Sequence, residues 1–198
     1  MKNIAIDLDK TLIDCDSTIY QLSNKYFADI FATSNKKLKY SIIKDEFDDK
    51  DGIISKIINT FTRMGNISSY IVQKNAVELI NEWYNEGIKI YFLSCRPNFA
   101  SLNMVLRKFF DESNIHYNSL VVNCNNKAKF CKRFDIDLLI DNSPSVCLDV
   151  ESNDINAICL NDKSTNKKRF SELSFARDWL EIREVVNSMR FNKNNIKI

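Results

Sequence analysis

Histidine, glycine and proline are nearly missing from this chain of 198 residues, which holds 1, 3 and 2 of them. The lone histidine, His116, excludes a metal site built from several imidazoles. So few glycines and prolines remove the usual turn signals, which leaves element boundaries soft. Long apolar runs are missing too: none reaches the ~20 residues of a membrane span, so no membrane partner is expected. A first strand read from residue 2 leaves no room for a signal peptide. Neither sign of charge is in excess, since 28 basic and 26 acidic residues are interspersed to a net charge of +2. A nucleic-acid polymer wants a basic groove, and is not expected as a partner. No CxxC pair occurs; Cys15, Cys95, Cys124, Cys131, Cys147 and Cys159 are scattered. That pattern suits free thiols in a reducing, cytoplasmic setting rather than a disulfide frame.

What is there is a core. Hydrophobic residues make up 44% of the chain, and its length suits one core domain with a moderate insertion. Short apolar runs read as strands over Asn3–Ile6, Ile88–Leu93, Leu120–Val122, Asp137–Ile140 and Ile155–Leu160. Between and after them, helices are predicted from Ser68 or Ser69 to Glu86, over Asn98–Phe110, Lys127–Phe134 and Pro144–Val150, and finally over Ser171–Met189 before a polar tail. Strands alternating with helices predict an α/β fold: a Rossmann-like parallel sheet with helices on both faces. Residues 15–75 carry only helical periodicity, over Ser17–Phe31, Lys37–Phe47 and Asp51–Met64. We divide the chain into a core of residues 1–14 and 76–198 and a small helical cap of residues 15–75. The other reading makes those helices part of one continuous domain.

Polar residues stop three of the predicted strands. Asp7 and Asp9 follow the first, Ser94 the second, and Asp141 ends DLLID. An unpaired buried carboxylate is costly, but a carboxylate pair is well suited to hold a divalent cation through hard oxygens. Residues i and i+2 of a strand point the same way, so Asp7 and Asp9 are expected to face one spot. Open parallel sheets bind ligands outside the carboxyl ends of their strands. Ser94 and the backbone N–H groups of Cys95 and Arg96 stand where a strand passes into a helix, a place suited to phosphate oxygens.

DLDKTL resembles the first motif of the haloacid dehalogenase-like hydrolases, most of which are phosphatases. Ser94, a lysine-headed helix at Lys127 and LLIDNSP follow in the family's order. The last stretch, and an insertion after the first motif, are most similar to the 5′-nucleotidase and deoxyribonucleotidase group. The resemblance implies that Asp7 attacks phosphorus to give an aspartyl-phosphate and binds Mg²⁺, with Asp9 as general acid and base. It implies Asp141 and the Asp9 backbone carbonyl as the other Mg²⁺ ligands. Ser94, Cys95, Arg96 and Lys127 would bind phosphate, with Lys127 preferred to Lys129 as the neutralising ammonium. Arg96 is read equally as pairing with a carboxylate. The nucleotidase-like pattern reads IDD where this chain has Asn142 in the last place. Asp137, at the start of its strand, is read as structural. Tyr20, Tyr26, Phe27 and Phe99 are candidates to stack on a base, or core residues. The implied activity is hydrolysis of a small phosphomonoester, a nucleoside 5′-monophosphate first. The alternatives are another small-metabolite phosphatase, acting for example on a sugar phosphate, and a non-catalytic module that binds a phosphate ligand.

Overall fold

The computed structural model describes residues 1–18, 21, 70–96, 98, 100–161 and 170–195. The cap helices expected beyond residue 18, with Tyr20, Tyr26 and Phe27, and Phe99 further on, lie outside the described residues. Six strands form the sheet: β1 Asn3–Asp7, β2 Lys89–Leu93, β3 Ser119–Val121, β4 Leu138–Asp141, β5 Asn156–Leu160 and β6 Ser174–Ala176. Five helices are named with them: α1 Ala76–Asn85, α2 Ala100–Glu112, α3 Lys127–Arg133, α4 Pro144–Glu151 and α5 Trp179–Asn195.

All neighbours pair in parallel, in the order β3-β2-β1-β4-β5-β6. The chain runs outward from β1 through β2 to β3, then returns to the other side of β1 to lay down β4. The order therefore reverses between β1 and β4, where Ile6 lies beside Ile140, and a crevice at their carboxyl ends is the natural binding place. Side chains divide by the period of two. Ile4, Ile6, Ile90, Phe92, Leu138 and Ile140 pack in one cluster with residues of α1, α2 and α5. Ala5, Leu93, Leu139, Ala157 and Cys159 pack in another with α3 and α4. Both faces are covered, which is why the strands read as continuous apolar runs. Among the described residues no helix is long and apolar enough to cross a membrane, and all six cysteines are free thiols.

Two helices differ in extent from expectation. The helix predicted from Ser68 or Ser69 starts only at Ala76. The preceding residues pair with the segment after β1: the Asp14 N–H donates to the Ile71 carbonyl at 2.7 Å and the Gln73 N–H to the Leu12 carbonyl at 2.8 Å. Pairing with a distant segment overrides the local helical pattern. The closing helix starts at Trp179 and runs to Asn195, into the expected tail. Asp178 Oδ1 caps it, accepting from the Leu180 and Glu181 N–H groups, each at 2.9 Å. Ser174–Ala176 form a sixth strand, too short to show alternation in sequence.

Candidate active site

β1 delivers Asp7 to the reversal point, and the chain turns sharply after it. Leu12 and Ile13 both donate backbone N–H groups to the Leu8 carbonyl, at 3.0 and 2.8 Å. Lys10 adopts φ of 64°, the left-handed region that side chains disfavour. This turn carries Thr11, fully buried, back over the strand end, where its hydroxyl donates to Asp7 Oδ2 at 3.1 Å.

Asp141 stands beside Asp7 on the neighbouring strand. Its Oδ1 accepts the Ser143 N–H at 2.9 Å. Lys127, first residue of α3, extends its ammonium between the two carboxylates, 2.5 Å from Asp7 Oδ1 and 2.6 Å from Asp141 Oδ2. All three side chains are buried. The Asn126 side chain caps α3 by accepting the Lys129 N–H at 2.8 Å, which fixes the helix start and hence the lysine. Lys129 is exposed, and of the two candidate lysines it is Lys127 that meets Asp7 and Asp141.

This triad carries two carboxylates for one ammonium. Burial pushes the Asp7 carboxyl up to about 7; Lys127 opposes the rise, and the like charge of Asp141 adds to it. Burial by itself would lower the Lys127 ammonium, but the two carboxylates overcome that and hold it above the ordinary lysine range. These directions agree with each other. The lysine keeps its proton, and the carboxylate left with half a counterion is the group that resists ionising.

The two aspartates of the first motif do not share one partner. Strand geometry lapses at Asp7, so the i, i+2 rule no longer aligns Asp9 with it. Arg96 grips the Asp9 carboxylate as a fork, Nε to Oδ2 at 2.9 Å and Nη2 to Oδ1 at 2.5 Å. Its Nη1 donates to the Tyr70 hydroxyl at 2.8 Å. The Cys15 thiol also donates to Asp9 Oδ1, at 3.6 Å. Of the two readings of Arg96, phosphate or carboxylate, its partner here is a carboxylate.

Ser94 is buried at the end of β2, and its Oγ accepts the Arg96 N–H at 3.1 Å. The Cys95 thiol donates to the Cys124 carbonyl at 3.2 Å. The loop after β3 is stitched under this segment by the Cys124 N–H on the Ser94 carbonyl at 2.9 Å and the Asn123 N–H on the Arg96 carbonyl at 2.7 Å. Asn142 is half-buried, and its backbone carbonyl accepts the Cys159 thiol and the Asn161 amide. Asp137 is structural: its Oδ2 accepts the Lys2 and Asn3 N–H groups at 2.5 and 3.0 Å, at the opposite end of β1. Tyr70 falls within the insertion of the sequence reading and carries no role there; nothing local marks a tyrosine that meets an arginine 26 positions away.

Among the described residues no three His, Cys, Asp or Glu side chains gather as a metal cluster. The donor set nevertheless fits Mg²⁺, which takes few protein ligands and keeps waters. Asp7 and Asp141 meet at one ammonium, each carboxylate oxygen has two lone pairs, and their charge exceeds that of the lysine by one.

No family model matches this sequence, and no curated protein is similar to it. Solved structures are. A haloacid dehalogenase-like family hydrolase from Streptococcus pneumoniae matches with a TM-score of 0.62 at 14% identity, over 94% of this chain and 98% of that one. A predicted phosphatase from Clostridium acetobutylicum matches with a TM-score of 0.62 at 12% identity, over 94% and 98%. A predicted phosphoglycolate phosphatase from Haemophilus somnus matches with a TM-score of 0.60 at 14% identity, again over 94% and 98%. At these identities the likeness is one of fold, the parallel sheet described above.

Proposed function

We propose that this chain is a Mg²⁺-dependent phosphatase that hydrolyses a small phosphomonoester through an aspartyl-phosphate. One observation carries the reading: a buried lysine bridges the carboxylates of Asp7 and Asp141 at the point where the strand order reverses. Burial of three charged groups is costly without a ligand that uses them.

Asp7 attacks phosphorus. Thr11 holds the other oxygen of its carboxylate and so fixes the attacking one. As the ester bond breaks, Asp9 gives a proton to the leaving oxygen; it then takes one from the water that cleaves the acyl-phosphate. The Lys127 ammonium offsets charge on the nucleophile and on the phosphoryl oxygens. The Ser94 hydroxyl and the Cys95 N–H hold those oxygens. Asp7, Asp141 and the Asp9 backbone carbonyl would hold Mg²⁺, which when bound supplies the positive charge that the carboxylates lack and polarises the phosphoryl group.

The fold relatives named as phosphatases support a small-metabolite phosphate ester. The LLIDNSP resemblance supports a nucleoside 5′-monophosphate within that class. The test is turnover of p-nitrophenyl phosphate with Mg²⁺, expected to vanish in Asp7→Asn and with EDTA. No turnover by folded protein over a range of metals and pH would overturn the enzyme reading and leave a module that binds phosphate. A panel of nucleoside monophosphates and sugar phosphates then assigns the substrate; equal, poor rates on all nucleotides would remove the narrower assignment.

A further inference from the structure

Arg96 is a large investment for one surface pair. Its side chain is 3% exposed, whereas its partner Asp9 is 36% exposed. The arginine is therefore the fixed member, and the aspartate is the more exposed one. Nε, Nη1 and Nη2 all have partners: two hold the Asp9 carboxylate and the third is braced by Tyr70. The Arg96 backbone is fixed as well, through its N–H on Ser94 Oγ and its carbonyl on the Asn123 N–H. A planar guanidinium held this way sets the plane and the rotation of the carboxylate it grips. Oδ1 of Asp9 also accepts the Cys15 thiol, so it is Oδ2 that keeps a further lone-pair site on the edge away from the fork. Proton transfer in a transition state depends steeply on such orientation.

We propose that Arg96, braced by Tyr70, is a positioning residue for Asp9: it holds the carboxyl group so that a proton carried on Oδ2, on the edge away from the fork, passes to the leaving oxygen. The inference rests on the phosphatase reading above. It assigns Arg96 to the leaving-group side of the reaction rather than to phosphate binding. Tyr70 acts one step further back, by fixing the guanidinium.

The test compares two substrates with Mg²⁺ present. p-Nitrophenolate leaves with little help from an acid, whereas the alkoxide of glycerol phosphate needs its proton. A general acid is worth about 10²–10⁴ in rate where one is needed. Arg96→Gln is expected to lower kcat on glycerol phosphate by about 10² or more, with a loss of about tenfold or less on p-nitrophenyl phosphate. Tyr70→Phe deletes one hydroxyl, leaves the fold intact, and is expected to show the same leaving-group dependence in smaller measure. On an Asp9→Asn background, Arg96→Gln is expected to add almost nothing, because the group it positions is gone.

Equal losses on both substrates, or losses that persist in full on the Asp9→Asn background, would mean that Arg96 is only structural. A raised KM with unchanged kcat on both substrates would mean that it leaves Asp9 to bind the phosphate. Either result overturns the inference while the phosphatase reading stands. If the wild-type protein turns over neither substrate, both fall together.

Discussion

Replacing Lys127 with methionine keeps most of the stem volume and removes the charge that Asp7 and Asp141 share. Two buried carboxylates then face each other without a counterion. Removing one partner of a buried ion pair costs about 3–5 kcal/mol. For a chain of this size, each kcal/mol moves Tm by about 2–4 °C. In EDTA at pH 8, Lys127→Met should therefore melt about 6–20 °C below wild type. At pH 5 the deficit should shrink, because a single proton lets the two carboxyl groups hydrogen-bond to each other. Mg²⁺ should raise the Tm of the variant more than that of wild type, since the cation supplies charge that only the variant lacks entirely. A saturating ligand at 100 times its Kd contributes about 2.7 kcal/mol. Thermal melts followed by dye fluorescence or circular dichroism, in EDTA and in Mg²⁺ at both pH values, measure all three effects. A Tm deficit below about 2 °C at pH 8, or an equal Mg²⁺ shift in both proteins, would refute the view that the lysine holds two carboxylates in place of part of a cation's charge.

Three further outcomes follow from the same geometry. Asp7 has a folded-state pKa of about 7 against an ordinary 3.8, so its contribution to stability is fully present below the ordinary value and is lost as pH rises through about 7. In EDTA, wild type should therefore lose Tm relative to Asp7→Asn between pH 5 and pH 8; a constant difference would contradict the raised carboxyl. Asn142→Asp adds a carboxylate beside Asp141, and even at the dielectric of water a unit charge about 4 Å from a divalent cation is worth about 2 kcal/mol. Titration calorimetry should show Mg²⁺ binding tightened by about thirtyfold; unchanged affinity would place this side chain outside the metal's reach. Asp137→Ala removes the acceptor for the Lys2 and Asn3 N–H groups; it should cost about 1–3 kcal/mol of stability and leave kcat unchanged, and a large loss of kcat would give Asp137 a role in the chemistry.

The central strands were legible because each is buried on both sides and so is written as an apolar run, stopped by a residue too polar for the core. Asp7, Ser94 and Asp141 stand out for that reason. Lys127 stood out because it heads a helix in a stretch that resembles the family's, and the Asn126 cap is what fixes that helix start. What escaped depends on contacts between distant segments. Tyr70–Gln73 looked helical by local pattern, and only pairing with residues 12–14 extends it. β6 is three residues long and has no alternation to read. The partner of Arg96 was undecidable from sequence, since phosphate and carboxylate present the same fork of oxygens to a guanidinium.

That ambiguity touches the central physical requirement of the site. In the proposed mechanism two aspartates separated by one residue do different work: Asp7 as nucleophile and Asp9 as proton carrier. Equivalent surroundings would make them equivalent groups, so their environments must be driven apart. The structure does this by giving each its own cation. Asp7 is buried against Lys127, which it shares with Asp141, while Asp9 is more exposed and held by Arg96. The sharp turn at Lys10, in a conformation costly by about 1–2 kcal/mol for a residue with a side chain, follows directly and brings Thr11 back to Asp7 while Asp9 faces Arg96. A strand continuing straight through residues 7–11 would have set both carboxylates on one face, competing for one lysine. The backbone strain at Lys10 is thus the local cost of separating the two roles.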